Sequence, residues 1–196
     1  MKVKKLSKKW EAYDMSNRIK RVFKLIWAWN EGKEEKWLSE MAQKGWFLKN
    51  YNFGLYTFFR GDADNYIYKL DYRSDLNMDT QEYKSIFADS GWEHVTQFLG
   101  WHYFRTREDE CKYPDIYSDN TSKIQKYKGL LRVLAIIIIV NLFNFINLIF
   151  LNQDRFSLFE YNFMSIFRLI VIATLTFLIY GMYRIWKIIK NLEDEL

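Results

Sequence analysis

Two stretches of this chain, WLSEMAQKGW at residues 37–46 and YKSIFADSGW at residues 83–92, share one pattern and decide the predicted fold. The second lies 46 positions after the first, and both end in a Gly-Trp pair. In each copy another glycine follows nine residues later, at Gly54 and Gly100, and is followed by an aromatic run. Self-similarity at a fixed distance is the sequence signature of a repeated structural unit. The sequence therefore predicts a domain built twice from the same unit.

Each copy is predicted to run strand, helix, strand, strand. The helical segment places apolar side chains on one face, and the flanking segments are rich in β-formers. The predicted segments of the first copy are a strand at 22–29, a helix at 33–44 and strands at 46–53 and 55–60. The second copy covers 66–106, and its first strand is aligned by placing Phe23 on Tyr68. We therefore expect a pseudo-twofold α+β domain of about six strands and two helices, with repeats at 22–60 and 66–106.

The domain contains more aromatic side chains than a core of its size requires. One interpretation is a bulky core with a docking surface for a protein. The other is a pocket between the copies for a flat or cationic hydrophobic ligand, with aromatic faces set against a cation. The candidate ligand-binding residues are Tyr51, Tyr56, Tyr66, Tyr68, Tyr72, Trp101 and Tyr103.

The last third of the chain is strongly apolar. Residues 133–151 carry no charge and are long enough to cross about 30 Å of hydrocarbon as a helix. A second span is predicted at 163–186, where Arg168 and Arg184 can extend to the interfaces. Residues 118–132 keep helical spacing and predict a juxtamembrane helix leading into the first span. The predicted fold is thus an α+β domain followed by a two-helix transmembrane hairpin.

The charge distribution predicts how the chain is oriented in a cell membrane. Residues 1–29 hold nine Lys or Arg, whereas residues 30–120 hold seventeen acidic and eleven basic residues. Lysines and arginines flank both spans, and positive charge remains on the cytosolic side. We expect a basic arm at 1–19, a cytosolic domain at 20–117, an external loop at 152–162 and a cytosolic tail at 187–196. Both termini are expected to be cytosolic, and the acidic domain argues against direct nucleic-acid binding.

Three carboxamides recur at every third position of the first span, at Asn141, Asn144 and Asn147. Amide groups cost free energy in lipid unless they have hydrogen-bond partners. We expect this membrane seam to pack against another helix or against a second copy of the chain. The partners considered within the second span are Ser165, Thr174, Thr176 and Tyr180.

Motifs that would carry catalysis or bind a metal are not found in the sequence. It contains no Gly-rich phosphate loop, serine elbow or zinc motif. His94 and His102 are the only histidines, and Cys111 is the only cysteine. The two histidines lack a third ligand at suitable spacing, so we expect them to fill strand positions. The sequence therefore predicts no cofactor, no metal and no enzymatic activity.

Five blocks of the chain resemble a known family, in the same order. They are EEKWLSEMAQKGWFL (34–48), YIYKLDY (66–72), FADSGWEHV (87–95), GWHYFR (100–105) and IYSDNTSKIQKYK (116–128). This chain resembles the DUF2812 family of uncharacterised bacterial membrane proteins, found widely in Firmicutes. The resemblance implies a regulatory or sensing context, because genes of this family often lie beside PadR-type repressors. No catalytic residue follows from it.

A second resemblance concerns the order of elements alone. A duplicated strand-helix-strand-strand unit is similar to the SHS2 and GyrI-like modules, which bind small hydrophobic molecules between their copies. Together these features predict a membrane-anchored sensing or regulatory protein that binds a small hydrophobic ligand or a protein partner. The alternative is an accessory subunit of a membrane complex such as a transporter. The expected partners are the lipid bilayer, a PadR-type repressor or a membrane complex, and a second copy of the chain.

Overall fold

The computed structural model describes residues 18–73, 80–111, 115–117, 119–150 and 158–196. The predicted basic arm up to residue 17 and most of the predicted external loop lie outside these ranges. The chain divides into two compact units, Met1–Ser118 and Asp119–Leu196. The first contains the α+β elements and the second contains two long helices.

Both copies of the repeat fold with the same order of elements. The first copy consists of β1 (Ile19–Phe23), α1 (Glu31–Gln43), β2 (Trp46–Asn52) and β3 (Leu55–Arg60). The second consists of β4 (Tyr66–Tyr72), α2 (Thr80–Asp89), β5 (Glu93–Phe98) and β6 (Trp101–Arg107). Each copy forms a three-stranded antiparallel sheet, in the orders β1-β3-β2 and β4-β6-β5. The predicted α+β fold with a duplicated unit is therefore confirmed.

Local irregularities repeat at the same offset of 46 residues. The register of β2 shifts between Leu48 and Asn50, and that of β5 shifts between His94 and Thr96. Two-residue turns, Phe53-Gly54 and Leu99-Gly100, close the two hairpins, and all four residues have positive φ. Positive φ at both central positions is the geometry of a type I′ turn. The duplication therefore extends to backbone conformation.

The predicted first strand was wrong in its bounds. β1 covers Ile19–Phe23 instead of residues 22–29, and a short 3-10 turn occupies Ala28–Asn30. The reason is the length of its partner: Phe23 pairs with Leu55, where β3 begins, so no strand remains to pair with later residues. A run of β-forming residues without a partner strand cannot continue as a strand.

The proposed alignment of Phe23 with Tyr68 is corrected by the same register. Phe23 lies opposite Leu55, and its structural counterpart Tyr72 lies opposite Trp101. The first strands of the two copies therefore correspond at 49 residues rather than 45, because Gly45 lies 22 residues after Phe23, whereas Gly91 lies 19 residues after Tyr72.

Helix α1 belongs to the first copy in sequence but is bonded to the second. Glu35 Oε1 accepts a hydrogen bond from the backbone N–H of Leu70 at 2.9 Å, and Ser39 Oγ accepts one from that of Tyr68 at 3.3 Å. These two N–H groups belong to β4, the edge strand of its sheet. The α1 side chains thus satisfy an edge that would otherwise have unpaired donors.

The hydrophobic core extends across both copies. Strands β2 and β5 also meet at equivalent positions, where Thr96 Oγ1 donates to Asn50 Oδ1 at 2.9 Å. The buried side chains of the main core cluster come from α1, β2, β3, β4 and β6, which makes the two copies one folded unit. They are Leu38, Met41, Ala42, Phe47, Leu48, Tyr56, Phe58, Tyr68, Leu70 and Tyr103.

The second unit consists of α3 (Asn120–Phe150) and α4 (Leu158–Asp194). The predicted juxtamembrane helix and first span form one continuous helix, whose first turn is capped where Asp119 Oδ1 accepts from Ser122 N at 2.7 Å. Both helices are long and apolar enough to span a membrane. In the most apolar 18-residue stretch of each helix, only 11% and 17% of the residues are buried, whereas the core helix of a soluble protein would be mostly buried.

Candidate functional site

A buried carboxylate surrounded by tyrosines lies where the two copies meet. Glu34, on the first turn of α1, is only 5% exposed. Its Oε1 accepts hydrogen bonds from the hydroxyls of Tyr56 at 2.6 Å and Tyr103 at 2.8 Å. The ring of Tyr51 completes the group, with its centroid 4.7 Å from that of Tyr56 and 5.1 Å from that of Tyr103. We call these four residues the Glu34 cluster.

The electrostatic environment of Glu34 disfavours its ionised form. Burial raises the pKa of Glu34, and the nearby carboxylates of Glu35 and Glu31 raise it further. The hydroxyls of Tyr56 and Tyr103 lower its pKa by donating hydrogen bonds to the carboxylate, but burial dominates. Burial and the charge of Glu34 also raise the pKa of Tyr56 and of Tyr103, so both hydroxyls remain donors.

The second copy contains a similar arrangement built from different elements. Asp71, on β4, is also buried and accepts hydrogen bonds from the hydroxyls of Tyr83, at 2.6 Å, and Tyr117. A basic side chain covers an aromatic ring in each copy: Lys24 Nζ lies 4.1 Å from the centre of the Trp37 ring, and the Arg73 guanidinium lies 4.9 Å from that of Tyr83. We call Asp71, Tyr83 and Tyr117 the Asp71 cluster.

The two histidines are adjacent on β5 and β6, next to the Asp71 cluster. His102 Nδ1 and His94 Nε2 are 3.2 Å apart, so one ring nitrogen donates and the other accepts. Burial, together with the positive charge of Lys84, lowers the pKa of His94 to about 4. Burial also lowers the pKa of His102. Across the described ranges, no three His, Cys, Asp or Glu residues are grouped so as to hold a metal ion.

The seven aromatic residues proposed from the sequence as ligand-binding are divided among separate places. Tyr51, Tyr56 and Tyr103 come together in the Glu34 cluster. Tyr68 is buried, and its hydroxyl accepts a hydrogen bond from the backbone N–H of Leu48 at 3.2 Å. That leaves three half-buried residues, of which Tyr72 and Trp101 form a tilted cross-strand pair at 5.2 Å. Tyr66 lies apart from this pair.

Tyr66 borders a small surface pocket of about 210 Å³. The Arg105 guanidinium lies 5.7 Å from the ring of Phe59 and 5.6 Å from that of Tyr66. Its Nε and Nη2 both donate to the Glu93 carboxylate at 2.8 Å, so this cation already has an anionic partner. The pocket is smaller than the roughly 300 Å³ at which small-molecule sites begin. Arg105 is paired with an anion, whereas the buried Glu34 carboxylate accepts its described hydrogen bonds from tyrosine hydroxyls, and we regard the Glu34 cluster as the stronger candidate for that reason.

Glu34 is a candidate residue that the structure adds to those predicted from the sequence. A signal for it was present, because Glu34 stands four residues before Leu38 and seven before Met41, both of which are buried on α1. Residues at these separations share one helical face. An acidic residue in register with the apolar face of a helix predicts a buried carboxylate.

The three asparagines of the predicted seam lie along α3. Asn141 Nδ2 donates to the backbone oxygen of Ile137 and Asn147 Nδ2 to that of Phe143, both at 2.8 Å. Asn144 is exposed. These bonds satisfy part of two amide groups within their own helix. A seam with a second copy of the chain remains a prediction.

Comparison with known proteins assigns the chain to a family. The model of the family described as a protein of unknown function (DUF2812) matches residues 30–139, which extend from the start of α1 into α3. No curated protein and no solved structure matches the chain. The matched range is more than half of the 196 residues and contains both the Glu34 and the Asp71 clusters. The chain therefore belongs to the DUF2812 family.

Proposed function

We propose that this chain is a membrane-anchored binding protein whose cytosolic duplicated domain captures a hydrophobic organic cation beside Glu34. The observation that carries the proposal is a buried carboxylate whose described hydrogen-bond partners are tyrosine hydroxyls, not lysine or arginine. A charge buried without an opposite charge costs free energy. A cationic ligand would remove that cost, and the faces of the surrounding tyrosines would attract it further.

The half-buried member of the Glu34 cluster suggests where a ligand would enter. Tyr56 and Tyr103 are buried, whereas Tyr51 is partly exposed on β2. The ring of Tyr51 also packs edge-on against Phe98 of β5, at 5.6 Å. A rotation of Tyr51 would open a path between β2 and β5 to the Glu34 carboxylate. Access would then run between the two copies of the repeat.

Membrane anchoring rests on the two long helices and on the charges that flank them. Lysines precede the apolar part of α3 and follow that of α4, while the link between the helices has a balanced charge. Under the positive-inside rule, these flanks support a topology with both termini and the duplicated domain in the cytosol. The flanking lysines are Lys123, Lys126, Lys128, Lys187 and Lys190.

A cytosolic domain that binds a ligand at the membrane suits a sensing or regulatory role. The last described segment of the domain bonds through Tyr117 to the buried Asp71, and α3 begins at Asn120. A change in the domain on ligand binding would thus reach the membrane helix through a short connection. The partner suggested by the family resemblance is a PadR-type repressor.

Binding of tetraphenylphosphonium to the full chain in detergent tests the proposal. We expect saturable binding that weakens about tenfold or more in Glu34→Gln, since an ion pair worth at least about 1.4 kcal/mol is lost. Equilibrium binding is measured for both proteins in the same detergent, so that partition into micelles cancels. The tetraphenylborate anion, which has the same shape and the opposite charge, is expected not to bind at this site.

Asp71→Asn provides the matched control, because it makes the same chemical change at the other buried carboxylate. We expect it to retain tetraphenylphosphonium binding. Equal affinity of Glu34→Gln and the unmodified chain for this cation would contradict the proposal. So would equal loss in the Glu34 and Asp71 variants, which would indicate a general disturbance of the fold.

A further inference from the structure

The two hairpin turns of the duplicated domain expose bulky apolar side chains. Phe53 and Leu99 occupy equivalent positions in the two copies and are 73% and 75% exposed. The ring of Phe53 lies 6.3 Å from that of Phe98, the neighbour of Leu99, so both turns belong to one surface. Exposed apolar side chains that cluster mark interaction sites more often than isolated ones do.

The linker after β1 adds to this surface. Phe23 and Leu25 pack beside the first turn, where a Cβ placed on Gly54 would lie 2.8 Å from Leu25 Cδ2 and 3.1 Å from Phe23 Cε2. Both side chains are nevertheless exposed. We call this surface the apolar tip and define it as Phe23, Leu25, Phe53, Leu55 and Leu99.

The backbone at the turns indicates that these side chains do not serve the fold. The φ angles of Phe53 and Leu99 are 44° and 47°, in the left-handed region. A type I′ turn favours Asn, Asp or Gly at this position, and a bulky apolar residue there is strained. Both copies bear this strain at a side chain that is mostly exposed to solvent. An interaction made by the exposed side chain explains a bulky apolar residue at these two positions better than packing within the domain does.

Basic residues lie beside both turns of the apolar tip. Lys24 N donates to Gly54 O and Arg73 N donates to Gly100 O, each at 2.8 Å. Acidic residues collect where β3 and β6 end, opposite the hairpin turns. There, Glu108 N bonds to Asn65 O, which brings two acidic segments together. These acidic residues are Asp62, Asp64, Glu108, Asp109 and Glu110. The basic residues beside the turns favour approach of the apolar tip to an anionic surface.

The chain itself brings a lipid surface within reach. α3, one of two helices long enough to span a membrane, begins at Asn120, directly after the domain. A short tether of this kind gives a surface a high effective concentration near the domain. The nine Lys and Arg of residues 1–29 add attraction to anionic headgroups.

We infer that the apolar tip docks on the anionic lipid surface of the membrane that anchors the chain, with Phe53 and Leu99 inserted among the headgroups. Apolar side chains that enter the interface, supported by basic residues around them, are the general means by which peripheral surfaces bind membranes. The inference relies on the membrane anchoring proposed above and is independent of the cation site.

Depth-dependent quenching in vesicles tests this docking. The full chain, with Cys111→Ser, receives a single fluorophore at Asn52→Cys beside the tip or at Ala63→Cys at the acidic end. Both positions are exposed. The labelled proteins are reconstituted in vesicles of phosphatidylcholine and phosphatidylglycerol that contain headgroup-proximal nitroxide lipids. We expect quenching at Asn52→Cys to be about threefold greater than at Ala63→Cys.

The substitutions Phe53→Asn and Leu99→Asn, made together, remove the apolar groups while supplying residues that the turn geometry prefers. We expect this double variant to remain folded, which its urea unfolding midpoint checks, and to lose the quenching at Asn52→Cys. A third label at Ile139→Cys, an exposed position of α3 near the middle of the predicted span, is read with lipids that carry the nitroxide on the acyl chain, and it reports whether the helix lies in lipid.

The labels separate failure of docking from failure of anchoring. Quenching at Ile139→Cys with equal, weak quenching at Asn52→Cys and Ala63→Cys would overturn the docking inference while leaving the anchor in place. No quenching at Ile139→Cys would overturn the anchoring and the docking together. Quenching at Asn52→Cys that persists in the double asparagine variant would also contradict insertion of Phe53 and Leu99.

Discussion

Phe53 and Leu99 adopt a backbone conformation that is unfavourable for bulky residues. A bulky residue with φ near 45° bears a cost of about 1–2 kcal/mol. Glu34 is also unfavourable where it lies, because burial in the domain disfavours its charged form and raises its pKa. Residues that oppose the local rules are retained where a function requires them. In this domain they occur at the apolar tip and at the Glu34 cluster.

Phe53→Asn should stabilise the domain. Asparagine tolerates the left-handed conformation, and the exposed ring contributes little packing, so we expect the free energy of unfolding to rise by about 1 kcal/mol. Urea unfolding of the full chain in detergent, followed by tryptophan fluorescence, measures the change. An unchanged or lower midpoint would show that the Phe53 ring has a packing role that its exposure does not reveal.

Glu34 should make the stability of the domain depend on pH. Because its pKa in the folded chain is raised above the ordinary 4.5, the folded state binds more protons than the unfolded state in the window between the two values. The stability from this group is fully present below pH 4.5 and is lost as pH rises through the raised pKa. Glu34→Gln should therefore be more stable than the unmodified chain at pH 7, with the difference shrinking toward pH 4.5.

Unfolding by urea at a series of pH values checks this expectation. The two histidines act in the opposite direction, since the pKa of His94 is lowered to about 4 and acid disfavours its neutral, buried form. The comparison is therefore made between the unmodified chain and Glu34→Gln, which share that contribution. A difference in stability that does not vary with pH would contradict the prediction.

Among the elements, α1 holds the two copies together. The helix belongs to the first repeat, but its side chains satisfy the edge strand β4 of the second repeat. Glu35 combines this role with a salt bridge to Lys69 at 3.0 Å. Because Glu35 and Lys69 are both largely screened from water, the pair is worth more than an ion pair on an open surface. The repeat thus folds as one domain instead of two separable units.

Glu35→Ala should destabilise the domain by about 2 kcal/mol, because the Leu70 N–H loses its charged acceptor and Lys69 loses its partner. Glu40→Ala, on the exposed face of the same helix, should change stability by less than about 0.5 kcal/mol. Urea unfolding of both variants gives the comparison. Equal changes in the free energy of unfolding for the two variants would mean that the contacts of Glu35 with β4 do not stabilise the domain.

For the whole molecule, the chain combines a duplicated α+β unit with a helical unit whose most apolar stretches are only 11% and 17% buried. Apolar helices of this length lower their free energy by leaving water for lipid. Membranes that contain the full chain should therefore retain nearly all of it after washing with alkaline carbonate. A chain ending at residue 117 should be recovered in the supernatant. Release of the full chain by carbonate would contradict membrane anchoring.

Much of this fold could be predicted from the order of residues alone. The Gly-Trp pairs at Trp46 and Trp92 and the glycines of both hairpins revealed the repeat, since local turn and helix-end chemistry depends on neighbouring residues. The two apolar helices followed from composition in the same way. The end of β1 at Phe23 could not be predicted, because it depends on where β3, more than thirty residues later, begins.

The candidate site likewise depends partly on local sequence and partly on tertiary structure. The sequence by itself determined the duplicated α+β domain, the apolar helices and the abundance of tyrosine, because each depends on local pattern and composition. Only the tertiary structure decided which tyrosines meet. Tyr103 and Glu34 are 69 positions apart and share a hydrogen bond because α1 of one copy packs across the other. That packing is a property of the whole fold, and it selects Glu34 from the acidic residues of the domain.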